Sequence, residues 1–298
     1  WGGLARKGVL RVHHDDLKAL DSPPEVKEEL EPDELERREE RKRRREERDR
    51  REEELRSEAR DAIDRAQKSG PKKKNPTPRA LKRKPITRGP MQLSEIQPRF
   101  KKSFGPERGK KNLKAFFDSM RAFEEERFTD AGRKLRPLIK ADHKIPEIYE
   151  LYGLILYRKE EYVDAADWLE KFRHFASSTE QHPVLMDCYR AEKRWNDINY
   201  LWDELREVSP SGSLVGEGRI VMAGAHADRG DLKEAVNLLA KGWKSPKRPK
   251  EHHLRRAYAL ADLYDRAGNI PRAREMFQWI VSFDPTFVDA RDRLKNLN

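Results

Sequence analysis

The chain has 298 residues, of which 36% are hydrophobic and 40% are charged, with a formal net charge of +11. So small an apolar share excludes a uniformly packed globule of this length, and no run approaches the roughly 18 consecutive apolar residues that a membrane-spanning helix needs. The single cysteine, Cys188, excludes an internal disulfide and a Cys-rich zinc site, so a cytoplasmic protein is expected.

In chain order, residues 1–24 carry a net +1 and read as a flexible tail. The opening residues from Trp1 include no initiator Met and lead into no apolar signal-peptide core, so they read as a fragment end. Residues 25–69 carry −3. Between 31 and 58 only Leu35 and Leu55 are apolar, while Glu39/Arg43, Glu46/Arg50 and Glu52/Arg56 are spaced i,i+4. Such pairs support an isolated helix by about 0.2–0.5 kcal/mol each, and a coiled coil would need apolar a and d positions that are missing. A solitary, highly charged helix is expected.

Residues 70–111 hold +12, more than the whole net charge, and seven prolines from Pro71 to Pro106. Proline removes a backbone donor and disfavours helix at the residue before it, which predicts a disordered basic linker. Lys72, Lys73, Lys74, Arg79, Lys82, Arg83, Lys84, Arg88, Lys101 and Lys102 are the candidate phosphate contacts, drawn to nucleic acid by counterion release. Phe100 and Phe104 are too few aromatics for a base-stacking platform.

From Asn112 the chain repeats itself, with segment starts near 112, 146, 179, 216 and 254, in steps of 34, 33, 37 and 38. Each unit reads as two helices joined by a short turn, such as Pro146 to Tyr157, then Lys159-Glu160-Glu161, then Tyr162 to Phe172. Small residues stand where the two helices would cross, namely Gly153 and Ala165, then Ala261 and Ala273, with Leu169 and Phe277 four positions further on and Pro285 closing the last unit. In the third unit Met186 and Ile198 replace the small residues, so that pair is expected to splay. Val288 to Leu297 reads as a capping helix within 288–298.

These residues resemble the tetratricopeptide repeat, a 34-residue helix–turn–helix unit, over 112–287, about 60% of the chain. The resemblance implies an all-α, right-handed superhelical solenoid of antiparallel helix pairs whose first helices line a concave groove for a partner peptide. Carried onto this sequence, the groove positions are Glu150, Leu154, Tyr157 and Arg158, then Asp187 and Arg190, then Arg255, Tyr258, Asp262 and Arg266. Some family members clamp a partner's terminal carboxylates with Lys and Asn. Here Leu113, Phe116, Met120 and Leu151 fall where those groups would stand, so that ligand is not expected. Phe116, Phe117, Met120 and Phe123 instead form a hydrophobic end, expected to pack against the incoming linker.

No phosphate-binding loop, dinucleotide fingerprint, nucleophile elbow or zinc-protease motif occurs. His13-His14-Asp15-Asp16 and His252-His253 are adjacent residues that do not share a helix face, so no metal is expected. Cys188 reads as a buried inert thiol. The sequence thus predicts a non-enzymatic protein-interaction scaffold with no cofactor, membrane or small-molecule substrate. The alternative is an RNA- or DNA-associated factor, or a ribonucleoprotein component, using residues 70–111.

Overall fold

The computed structural model describes residues 93–297 apart from 142, 143 and 210. The expected tail, the charged helix and the linker up to residue 92 lie outside the described residues. Among those described there are twelve helices and no strand. They are α1 (Leu93–Phe104), α2 (Pro106–Glu124), α3 (Phe128–Ile139), α4 (Pro146–Arg158), α5 (Tyr162–Ala176) and α6 (His182–Ala191), then α7 (Trp195–Val208), α8 (Gly212–Asp228), α9 (Leu232–Ala240), α10 (Glu251–Arg266), α11 (Ile270–Phe283) and α12 (Ala290–Asn296).

From α2 to α11 the helices form five pairs, each pair packed on itself and each second helix packed on the first helix of the next pair. Among first helices, α2 touches α4, α6 packs on α8 and α8 on α10. This neighbour-only order is that of a helical solenoid, in which no single pair can bury its apolar stripe alone. Proline at N1 or N2 starts α2, α4, α6 and α11, where its missing N–H costs nothing and its fixed φ is already helical.

One backbone device ends every first helix and fixes the register of all five pairs. Glu126, Glu160, Lys193, Gly230 and Gly268 take positive φ of 58°, 62°, 58°, 90° and 74° at equivalent places. After each, an amide closes the turn back onto the helix: Arg127 to the Ala122 carbonyl, Glu161 to Leu156, Arg194 to Tyr189, Asp231 to His226 and Asn269 to Tyr264, all at 2.8–2.9 Å. This is the Schellman arrangement, which favours glycine at the left-handed position. Three repeats carry a Cβ there, at a cost of about 1–2 kcal/mol in that conformation. Glu160→Gly is therefore expected to stabilise the chain by about 0.5–1 kcal/mol, after the extra freedom glycine gains on unfolding. A higher urea midpoint at unchanged slope would show it.

The crossing positions are closely packed. Ser119, Gly153, Met186, Ala223 and Ala261 on the first helices, and Ala131, Ala165, Ile198, Ala235 and Ala273 on the second, are all buried. The Ser119 hydroxyl donates to the Ala131 carbonyl at 2.8 Å across the first crossing. In the third pair, where bulk replaces the small residues, Met186 and Ile198 are both buried. An unbranched, adaptable thioether fills the crossing in place of a close backbone contact.

The expected linker is corrected at its end. Residues 93–104 and 106–111 are helical, not extended, and the first pair begins at Pro106 instead of Asn112. Pro98 lies inside α1, yet Ile96 and Phe100 are buried and Leu93 and Phe104 partly so. Burial of that apolar stripe outweighs the proline. At the other end α12 packs on α11 with Ala290 buried, as a seven-residue cap.

Candidate partner-binding face

The face that first helices turn away from their partner helices carries the residues assigned to the groove. Its positions recur along the chain: Leu113, Glu147, Glu217 and Arg255 are equivalent, as are Phe116, Glu150 and Tyr258, and Met120, Leu154, Asp187 and Asp262.

In place of a free row of side chains, the structure shows a ladder of polar contacts, most of them linking neighbouring repeats. The Tyr157 hydroxyl donates to Asp187 Oδ2 at 2.7 Å, and burial, with the Asp187 charge adding to it, pushes that phenol far above its ordinary value. Arg190 donates to Asp187 at 2.6 Å and to Asp228 at 2.8 Å, bridging α6 and α8. Arg255 of α10 reaches back to the buried Glu217 of α8 at 3.0 Å and also holds Glu251 at 2.6 Å. Gln181 donates to Glu150 at 2.8 Å. Arg158 bonds Glu126 at 2.9 Å and lies 4.4 Å from the centre of the Phe128 ring. At the C-terminal end, Tyr258 donates to Asp289, while Arg293 bonds Asp262 at 3.0 Å and Asp265 at 2.8 Å. Burial raises the Tyr258 phenol above its ordinary range, with Asp289 adding to the shift.

The assigned positions therefore divide. Leu154 is fully buried and is corrected to a core residue. Glu150, Tyr157, Asp187 and Tyr258 are buried and each bonds a residue of a neighbouring element. Arg158, Arg190, Arg255 and Asp262 are partly exposed, and the Arg266 side chain is 37% exposed, 3.9 Å from Asp262. Sequence reasoning missed the partners Gln181, Glu217, Asp228, Asp289 and Arg293. Each lies about one repeat from the residue it holds, the spacing at which repeat neighbours meet.

Between the ends of α6 and α8 the same face opens into a cleft of about 590 Å³. Tyr162 and Trp195 line it together with Asp187, Arg190, Lys193, Asp228 and Arg229. Lys193, Asp228 and Arg229 are exposed on it.

Of the ten candidate phosphate contacts, only Lys101 and Lys102 fall among the described residues, both exposed on α1. No group of three or more His, Cys, Asp or Glu side chains among the described residues could hold a metal ion. No described helix is long and apolar enough to cross a membrane. Cys188 is buried, and its thiol is pushed well above its ordinary value by that burial, with Asp187 contributing. Native chain should therefore resist iodoacetamide under conditions in which urea-unfolded chain is alkylated completely, as mass spectrometry would read.

A row of paired helices with this ladder along one face defines a helical-repeat protein. Residues 119–178 match the family model described as Tetratricopeptide repeat. It is similar to the crystal structure of TTC0263, a thermophilic protein of this family from Thermus thermophilus, at 14% identity and a TM-score of 0.48, covering 62% of this chain and 98% of that one. It is also similar to YrrB, described as a tetratricopeptide protein with an unusual peptide-binding site, at 17% identity and a TM-score of 0.40, covering 66% and 97%. No curated protein matches the sequence.

Proposed function

We propose that the chain is a non-enzymatic scaffold that holds a polar segment of a partner protein along the first-helix face of α6, α8 and α10. The cleft between α6 and α8 carries this reading. It places two aromatic side chains, Tyr162 and Trp195, beside the exposed cation Lys193 and the exposed pair Asp228 and Arg229. Aromatic anchors of low conformational entropy with a charged rim are what peptide recognition uses. The ladder beneath keeps the surface rigid, so little ordering cost falls on binding.

The test is position-resolved photo-cross-linking in the full chain. A photoreactive residue at Arg229 or Arg266 is expected to form a discrete protein adduct, and one at Glu234, exposed on α9, is expected to form none. Adducts at all three positions alike, or at none, would overturn the reading.

A further inference from the structure

Helix α1 lies on the face that the repeats otherwise offer to partners. Phe100 packs against Phe116 with ring centroids 5.6 Å apart. Where α1 crosses α2, the contact is so close that a Cβ on Gly109 would stand 2.9 Å from the Phe100 carbonyl oxygen. One repeat further along, Arg99 Nη1 donates to Glu147 Oε1 at 2.6 Å. Glu147 occupies on α4 the position that Leu113 occupies on α2, so α1 spans two successive repeats along one face. A helix that merely capped the first pair would rest on its outer edge, whereas the principal partner of α1 is α2 and its ion pair is with α4.

The resident helix also shows what this face accepts: an apolar stripe of Ile96, Phe100 and Phe104 at i,i+4 spacing, flanked by Arg99, Lys101 and Lys102. The matching surface is apolar on α2, at Leu113, Phe116 and Met120, and acidic and buried on α4, at Glu147. Yet α1 is a weak holder of its place. It has twelve residues, too few for an autonomous helix. Pro98 removes one of its internal hydrogen bonds and crowds the preceding turn. Its junction to α2 is Gly105, at φ +80°, a conformation that glycine adopts freely.

We infer that α1 is a built-in, exchangeable occupant of the inner face of the first two repeats, and that this face receives a basic amphipathic helix of a partner, which enters by displacing α1. This rests on the scaffold reading but concerns a different part of the surface. Exchange lowers the apparent affinity by the fraction of time α1 is docked, and a partner helix without an internal proline has the advantage over α1.

The probe is a fluorescent peptide of residues 93–104 carrying Pro98→Ala, titrated by anisotropy into the full chain. Wild type is expected to bind it at least tenfold more weakly than an Ile96→Asp/Phe100→Asp chain, whose own α1 cannot dock. The same peptide with Arg99→Glu should lose most of that binding. Equal affinity for both chains, or no binding to the variant while α2 to α11 keep their wild-type hydrogen-exchange protection, would overturn the proposal. Should the double variant melt early, Arg99→Glu in the full chain replaces it, since Arg99 is exposed. Hydrogen exchange must then rise in 93–104 with α3 to α11 unchanged, and unchanged exchange in α1 would equally overturn the proposal. A self-exchanged dimer would appear as concentration-dependent mass and would refute a partner helix as the occupant. Cross-linking at Arg229 and Arg266 reads the scaffold function independently, so either proposal can fail alone.

Discussion

Arg173→Met is expected to lower the melting temperature by about 10 °C, through loss of the cation at the joint between the second and third pairs. Arg173 is 2% exposed. It donates to Glu204 at 2.7 and 3.2 Å and to Glu170 at 3.2 Å. Glu170 also accepts from the Tyr189 hydroxyl at 2.9 Å, and His182 Nε2 lies 2.7 Å from Glu204. Removing one partner of a buried ionic group costs about 3–5 kcal/mol because the charge left behind has no compensation. At about 2–4 °C per kcal/mol for a chain of this size, the fall should be near that value.

The loss should also depend on pH. Burial lowers the His182 pKa from its ordinary value, and Arg173 lowers it further against the pull of the Glu204 hydrogen bond. In the native chain His182 is therefore neutral, and its contribution is complete above about pH 6.5 and is lost as pH falls toward its folded pKa. Glu204, lowered despite its own burial because His182 and Arg173 hold it, contributes in the same sense from a more acidic window. Without Arg173 a protonated His182 becomes the only cation of the cluster on Glu204. Its folded pKa then rises back toward the ordinary value, so less of its contribution is lost as pH falls. Melting of the two chains at about pH 8 and pH 5.5 should show the gap narrowing on the acid side. A gap that is constant or widens would contradict the cluster as described.

Most of the repeat architecture is legible in the sequence, because the repeat is local. Gly153, Ala165, Ala261 and Ala273 declare the crossings, and Gly230 and Gly268 declare left-handed turns that Glu126, Glu160 and Lys193 also adopt without declaring. Two features are not legible. The ten residues assigned to the groove lie on first helices, but their free or paired state depends on the separation of neighbouring repeats, which linear spacing does not encode. Tyr157 thus looks like an anchor and is in fact bound to Asp187. Helix α1 is hidden by Pro98 and Pro106, which read as linker punctuation. Its stripe of Ile96, Phe100 and Phe104 stands at helical spacing, but only the apolar face of α2 gives that stripe a reason to fold.

Gly153→Val is expected to cost about 3 kcal/mol, at the upper end of overpacking effects, and to do so in one part of the chain only. An added Cβ at Gly153 would stand 2.8 Å from Leu169 Cγ and 3.2 Å from the Leu169 backbone nitrogen. The leucine side chain can turn aside, but the nitrogen belongs to α5 and moves only if the helices part. Gly216→Ala is the natural control. No atom beyond its own helix backbone lies within 4 Å of its Cβ position, so the better helix former should stabilise α8 by up to about 1 kcal/mol. The decisive measurement is where the damage spreads. In a solenoid each repeat answers only to its neighbours, so hydrogen exchange in Gly153→Val should accelerate in α2 to α6 and remain protected in α10 and α11. The separate apolar cluster spanning α8 to α12 supplies that independence, since Ala261, Ala273 and Phe277 are buried in it without any contribution from α4 or α5. Uniform acceleration from α2 to α11 would instead require one closed core shared by all five pairs.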